Sequence, residues 1–113
     1  MEAKLNVWIE QDGEVVLSLW RVRLLEAVER TGSINAAAAE MGVHFRTAWE
    51  KIKEMEARLG EPLVESQTGG VGGGGTALTP AAHRLLIRFH ALTDGLDTLL
   101  AERFQTLFDS DSA

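Results

Sequence analysis

Residues 31–60 read TGSINAAAAEMGVHFRTAWEKIKEMEARLG, two stretches of helical periodicity separated by one glycine. Ser33 is placed to cap a short helix from Ile34 to about Met41. Two helices cross closely only where the side chains between them are small, and Ala37 and Ala38 meet that need. Gly42 tolerates the positive φ of a tight turn, and Val43 fills the corner behind it. A longer helix then runs from about His44 to Leu59, with Ala48, Ile52, Met55 and Leu59 on one face and Gly60 as its stop. Small residue, glycine, apolar residue and new helix is the spacing of a helix-turn-helix, here over about 33–59.

Upstream, LNVWIEQDGEVVL (residues 5–17) alternates apolar and polar residues around Asp12-Gly13, a favoured two-residue hairpin turn. Ser18 then caps a helix through about Glu29, with Trp20, Leu24, Leu25 and Val28 at helical spacing and Gly32 beyond its end. Downstream, Leu63 to Glu65 read as a short strand, QTGGVGGGGT (67–76) as a loop and Leu78 as part of a returning strand. This strand, glycine loop and strand form a β-wing over about 63–79. Thr79-Pro80 starts a final helix predicted over about 80–108. Leu85, Phe89, Leu92, Leu96 and Leu99 recur on it at alternating steps of four and three, a seam for pairing with a second copy. Gly95 interrupts that seam, and Phe104, Leu107 and Phe108 continue it irregularly. The expected fold is α+β and mostly helical: a winged helix-turn-helix in one domain, 1–113, with an N-terminal hairpin and a long C-terminal dimerisation helix.

In such a fold the second helix of the motif lays its first turns in the major groove of double-stranded DNA. His44, Phe45, Arg46, Thr47 and Glu50 are the groove-facing candidates. Arg46 suits a guanine edge or a phosphate, Thr47 a thymine methyl or a phosphate, and Glu50 the N4 amine of cytosine. Lys51 is a candidate backbone contact, and Trp49 is assigned to the core. In the wing, Thr68, Gly69, Gly70, Gly72 and Gly73 are candidates, because glycines admit a close backbone approach whose N–H groups can face phosphates.

The formal net charge of −6 opposes this reading, since phosphate neutralisation supplies much of DNA affinity. The acidic residues gather towards the chain ends, and Arg46, Lys51, Lys53 and Arg58 remain in the centre. Cysteine is absent, which excludes disulfides, thiolate metal sites and cysteine nucleophiles. No apolar run of membrane-spanning length and no signal sequence is present, so a cytoplasmic location without membrane association is expected. Gly70, Gly72 and Gly75 spell a formal dinucleotide fingerprint, but a strand follows where a helix is required. His83 and His90 share a helix face without a third ligand. No enzyme, cofactor or metal site is therefore expected.

The run from Leu24 to Leu86 resembles the N-terminal domain of ModE-type molybdate-dependent transcriptional regulators. The resemblance rests on TGSINAAAAEMGV, TAWEKIKEM (Thr47 to Met55) and PLVES followed by TGGVGGGGTALTP. LysR-type regulators share the helix-turn-helix and the segment around Pro62-Leu63, but not the glycine loop. The resemblance implies a winged-helix homodimer that recognises an operator near molybdate-uptake genes. Family members usually continue into molybdate-binding domains, so an effector is expected to come from a separate molybdate-binding or other effector protein. Uncharged Ser66, Gln67 and Val71 stand where the family would place basic residues, which implies fewer phosphate contacts. The acidic balance and uncharged wing leave a second reading open: a winged-helix module that binds protein instead of DNA.

Overall fold

Three hydroxyl caps, three left-handed glycines and a two-residue turn set the element boundaries. The computed structural model describes residues 1–68 and 75–108. They form β1 (Trp8–Gln11), β2 (Glu14–Ser18), α1 (Leu19–Thr31), α2 (Ile34–Met41), α3 (Phe45–Leu59), β3 (Val64–Gln67), β4 (Gly75–Leu78), α4 (Pro80–Thr93) and α5 (Leu96–Phe108). Among the described residues, no helix is long and apolar enough to cross a membrane.

The hairpin turns on Asp12 and Gly13, both at positive φ (53° and 81°), as a tight antiparallel turn requires. Pairing then slips by one residue: Ile9 faces Leu17, but Glu10 faces Val15. The bulge leaves Val16 unpaired and lets two consecutive residues, Val16 and Leu17, be buried together. Ser18, Ser33 and Thr79 each accept a hydrogen bond from the backbone N–H three residues on, capping α1, α2 and α4. Gly32, Gly42 and Gly60 close α1, α2 and α3 in the left-handed conformation that a side chain makes costly.

The core joins Leu17 of β2, Val22, Leu24, Leu25, Ala27 and Val28 of α1, Ala37 and Ala38 of α2, and Ala48, Ile52 and Met55 of α3. Leu63, Leu78, Ala82, Leu86 and Phe89 complete it from the wing and α4. Full burial of each large aliphatic side chain among these contributes roughly 1.5–3 kcal/mol, which orders the small alanines at the α2–α3 crossing as well. Phe89, which its spacing assigns to a dimer seam, is the largest fully buried side chain among the described residues.

β3 and β4 pair in register from Val64↔Leu78 to Gln67↔Gly75, so the expected wing is present at its base. The loop-side end of β4 is anchored on the turn between α1 and α2: Thr76 N–H donates to the Gly32 carbonyl at 2.8 Å. A methyl group on Gly75 would lie 2.7 Å from the same oxygen, so glycine is required there for contact and not for its φ.

The final helical stretch comes in two pieces. α4 ends at Thr93, Gly95 takes φ 79°, and α5 restarts at Leu96. α4 is tied to α1 by His83–Glu29 and His90–Glu26, each 2.9 Å, whereas α5 buries none of its thirteen residues. The molecule is accordingly 63 Å along its longest axis and 32 Å across the next.

Candidate nucleic-acid interface

α3 is positioned by its apolar face and by an ionic cluster behind it. Arg21 of α1, buried to 7% exposure, donates to Glu54 Oε1 at 3.0 Å and to the Lys51 carbonyl at 3.5 Å. Arg58 pairs with Glu54 at 2.6 Å and with Glu14 of β2 at 3.1 Å, and it also donates to the Val15 carbonyl. One carboxylate thereby links α1, α3 and the hairpin. The Arg21 hydrogen bond, supported by the charges of Arg21, Lys51 and Arg58, holds Glu54 below the ordinary carboxylate range against some burial. Burial pushes Glu56 upward, but the Leu63 N–H at 2.7 Å, the Lys53 ammonium and the Val64 N–H outweigh it, and its pKa too is lowered. Glu56 so fixes the first residues of the wing to the end of α3.

These two depressed carboxylates set a pH dependence. Their contribution is fully present above their unfolded value of about 4.5 and is lost as pH falls through the lower folded values. Urea unfolding is therefore expected to show constant stability from pH 7 to about 5 and a decline below 4.5. The Glu54→Gln variant is expected to be weaker at pH 7 and to lose less on acidification. An identical acid slope in that variant would exclude the cluster as the cause.

The outer side of α3 carries the expected residues. Phe45, Arg46, Trp49 and Glu50 line one shallow depression. The Arg46 side chain is 86% exposed, and its pairing with Glu50 at 3.9 Å is a long surface contact that contributes little and releases easily. His44 is the exposed N-cap, and no side-chain hydrogen bond caps the first turn of α3. Thr47 and Lys51, one turn apart and half-buried, form a separate flank, and Lys51 leans on Glu54 at 3.8 Å. Thr68, exposed, ends the described part of the wing; Gly69, Gly70, Gly72 and Gly73 lie outside the described residues.

Trp49 corrects the expectation from sequence. It is not a core residue: 43% of its surface is exposed, and Lys53 Nζ stands 5.6 Å from its ring centre. Ala48, Ile52 and Met55 already fill the inward face, and Trp49 is turned about 100° away from Ala48. That angle was available in the sequence. In the C-terminal seam, Phe89 is taken by the core and Leu85 is half-buried against it. Leu92 and Leu99 are exposed, and Leu96 is half-exposed.

A helix-turn-helix whose second helix presents its first turns to solvent, followed by a β-wing, defines a winged-helix DNA-binding domain. The profile described as bacterial regulatory helix-turn-helix protein, lysR family, matches residues 19–83. The chain belongs to that family, whose members are regulatory DNA-binding proteins and not enzymes. It is 41% identical over 93 residues to the molybdenum-pterin-binding protein MopB of Rhodobacter capsulatus, a match covering 82% of this chain and 34% of that one. Identity to the DNA-binding transcriptional dual regulator ModE of Escherichia coli K12 is 32% over 112 residues, 99% of this chain and 41% of the relative. The chain thus spans about a third to two-fifths of the length of these relatives. Among solved structures, the BenM DNA-binding domain with benA site 1 DNA superposes at TM-score 0.59 over 78% of this chain and 93% of that one. At 20% identity it shares the fold alone. These similarities bear out the expected relation to ModE- and LysR-type winged-helix domains.

Proposed function

We propose that this protein is a ModE-like regulator that binds operator DNA sequence-specifically, as a homodimer, in the cytoplasm. The observation that carries the reading is the freedom of the α3 N-terminal turns: Arg46, Phe45 and Glu50 are exposed while the helix itself is fixed by Arg21 and Glu54. A rigid helix with unspent polar groups at its start suits base readout. Dimerisation is supported by α5, whose Leu96, Leu99, Leu100, Phe104 and Leu107 follow one helical stripe of which none is fully buried and Leu99 and Leu107 are exposed. The molybdenum in the names of MopB and ModE extends the reading to genes of molybdenum handling, with molybdate or another effector bound by a further domain or protein.

The test is a titration of the protein against DNA from upstream of its own gene and neighbouring operons, at two salt concentrations. Saturable, salt-weakened binding is expected, with a shallow salt slope because few basic residues face the duplex. Arg46→Ala is expected to weaken it about ten- to a hundredfold. A second reading, a protein-binding winged helix, is favoured by the uncharged Ser66 and Gln67 of the wing in a chain of net charge −6. A folded dimer that binds no DNA at low salt would select that second reading.

A further inference from the structure

Phe45 and Trp49, one turn apart at the start of α3, leave 48% and 43% of their surface in water. They are surplus to the core, since Ala48, Ile52 and Met55 occupy the inward face of the same helix. Arg46 and Glu50 wall the shallow depression that the two rings share, and Lys53 lies over the Trp49 ring at 5.6 Å. An apolar pair with Arg46 and Lys53 beside it, and Glu50 as the one acid in its wall, fits a polyanion that carries an apolar group and draws Arg46 off that carboxylate. In a DNA major groove that group is the C5-methyl of thymine, which cytosine lacks.

We propose that Phe45 and Trp49 form a thymine-methyl subsite and that Trp49 is a specificity-determining residue of the recognition helix. This rests on the DNA-binding reading above and adds which base the aromatic pair selects. Arg46 and Lys53 lean on Glu50 at 3.9 Å and on Glu56 at 3.1 Å, surface contacts that phosphates can displace, and the rings exclude water from the methyl group. The preference is for thymine over cytosine at a fixed position in each half-site. It differs from the contribution of Arg46, which is to hold a guanine edge or a phosphate.

The test selects binding sites from a pool of duplexes with thirty randomised base pairs, using the wild-type protein, Trp49→Ala and Trp49→Phe in parallel. The wild type is expected to enrich a two-fold site with one invariant thymine per half-site, and Trp49→Ala a site relaxed at that position. Replacing that thymine by deoxyuridine removes only the methyl group. It should weaken the wild type about three- to tenfold per half-site, Trp49→Phe less, and Trp49→Ala not at all. Identical sites for all three proteins, or a deoxyuridine penalty that survives Trp49→Ala, overturns the subsite and leaves DNA binding intact. Should the alanine variant enrich nothing, a full-sized penalty in Trp49→Phe overturns it instead. No enrichment by the wild type overturns both readings and assigns the aromatic pair to a protein contact.

Discussion

Replacing Leu99 and Leu107 together by lysine is expected to give a folded monomer that has lost about a hundredfold or more of its affinity for a two-fold operator. Folding should survive because α5 buries none of its residues, and Leu99 and Leu107 are 43% and 67% exposed in the protomer. A lysine there meets water and leaves the core untouched. In a dimer seam the same lysines would be desolvated without partners, which costs far more than two leucine contacts contribute. Affinity follows because a dimer presents its second recognition helix at high effective concentration once the first has docked. Lysine is chosen over glutamate so that repulsion from phosphate cannot explain the loss. Sedimentation equilibrium and a DNA titration on the same samples read the two consequences. A variant that stays dimeric would move the interface to the hairpin or α1.

The opposite pattern is expected of Phe89→Ala. The ring is 2% exposed among Leu86, Ala82 and the α1 residues of the core. Its removal is expected to cost about 3–5 kcal/mol through lost burial and an unfilled cavity. That is a large part of the 5–15 kcal/mol by which domains are typically stable. The urea midpoint should fall sharply with little change in slope, at matched protein concentration so that dimerisation does not confuse the comparison. If Phe89→Ala unfolds like the wild type and merely dissociates, Phe89 belongs to the interface, as its heptad position implies. The two substitutions thus separate the part of the seam that builds the core from the part proposed to meet a second copy.

Much of this was written locally in the chain. Ser18, Ser33 and Thr79 announce their helices, and Gly32, Gly42 and Gly60 end three of them, because capping depends on nearest neighbours alone. Spacing also marked out Phe45, Arg46 and Glu50, whose outward placement follows from the inward run of Ala48, Ile52 and Met55. Trp49 departs from the expectation because its helical angle, about 100° from Ala48, decides its side and its residue type does not. Phe89 is buried within its own chain, and a heptad repeat does not say whether its partner is the same chain or another. Of the Arg21–Glu54–Arg58–Glu14 cluster only the Glu54–Arg58 pair, four residues apart on α3, is legible in the sequence. Arg21 and Glu54 are 33 residues apart, and their meeting depends on how α1 crosses α3. The bulge that buries Val16 beside Leu17 is equally a product of pairing and not of alternation.

The contact of Gly75 with Gly32 has a mechanical consequence. The loop-side end of β4 is clamped to the turn that begins the helix-turn-helix, at 2.8 Å from Thr76 to the Gly32 carbonyl, with no room for a side chain between them. At its other end the wing is held by Glu56 of α3 through the Leu63 and Val64 amides. Both legs of the hairpin are thus bolted to the frame that carries the recognition helix. The two elements open like calipers with a locked hinge, and the gap between them is a dimension of the fold itself.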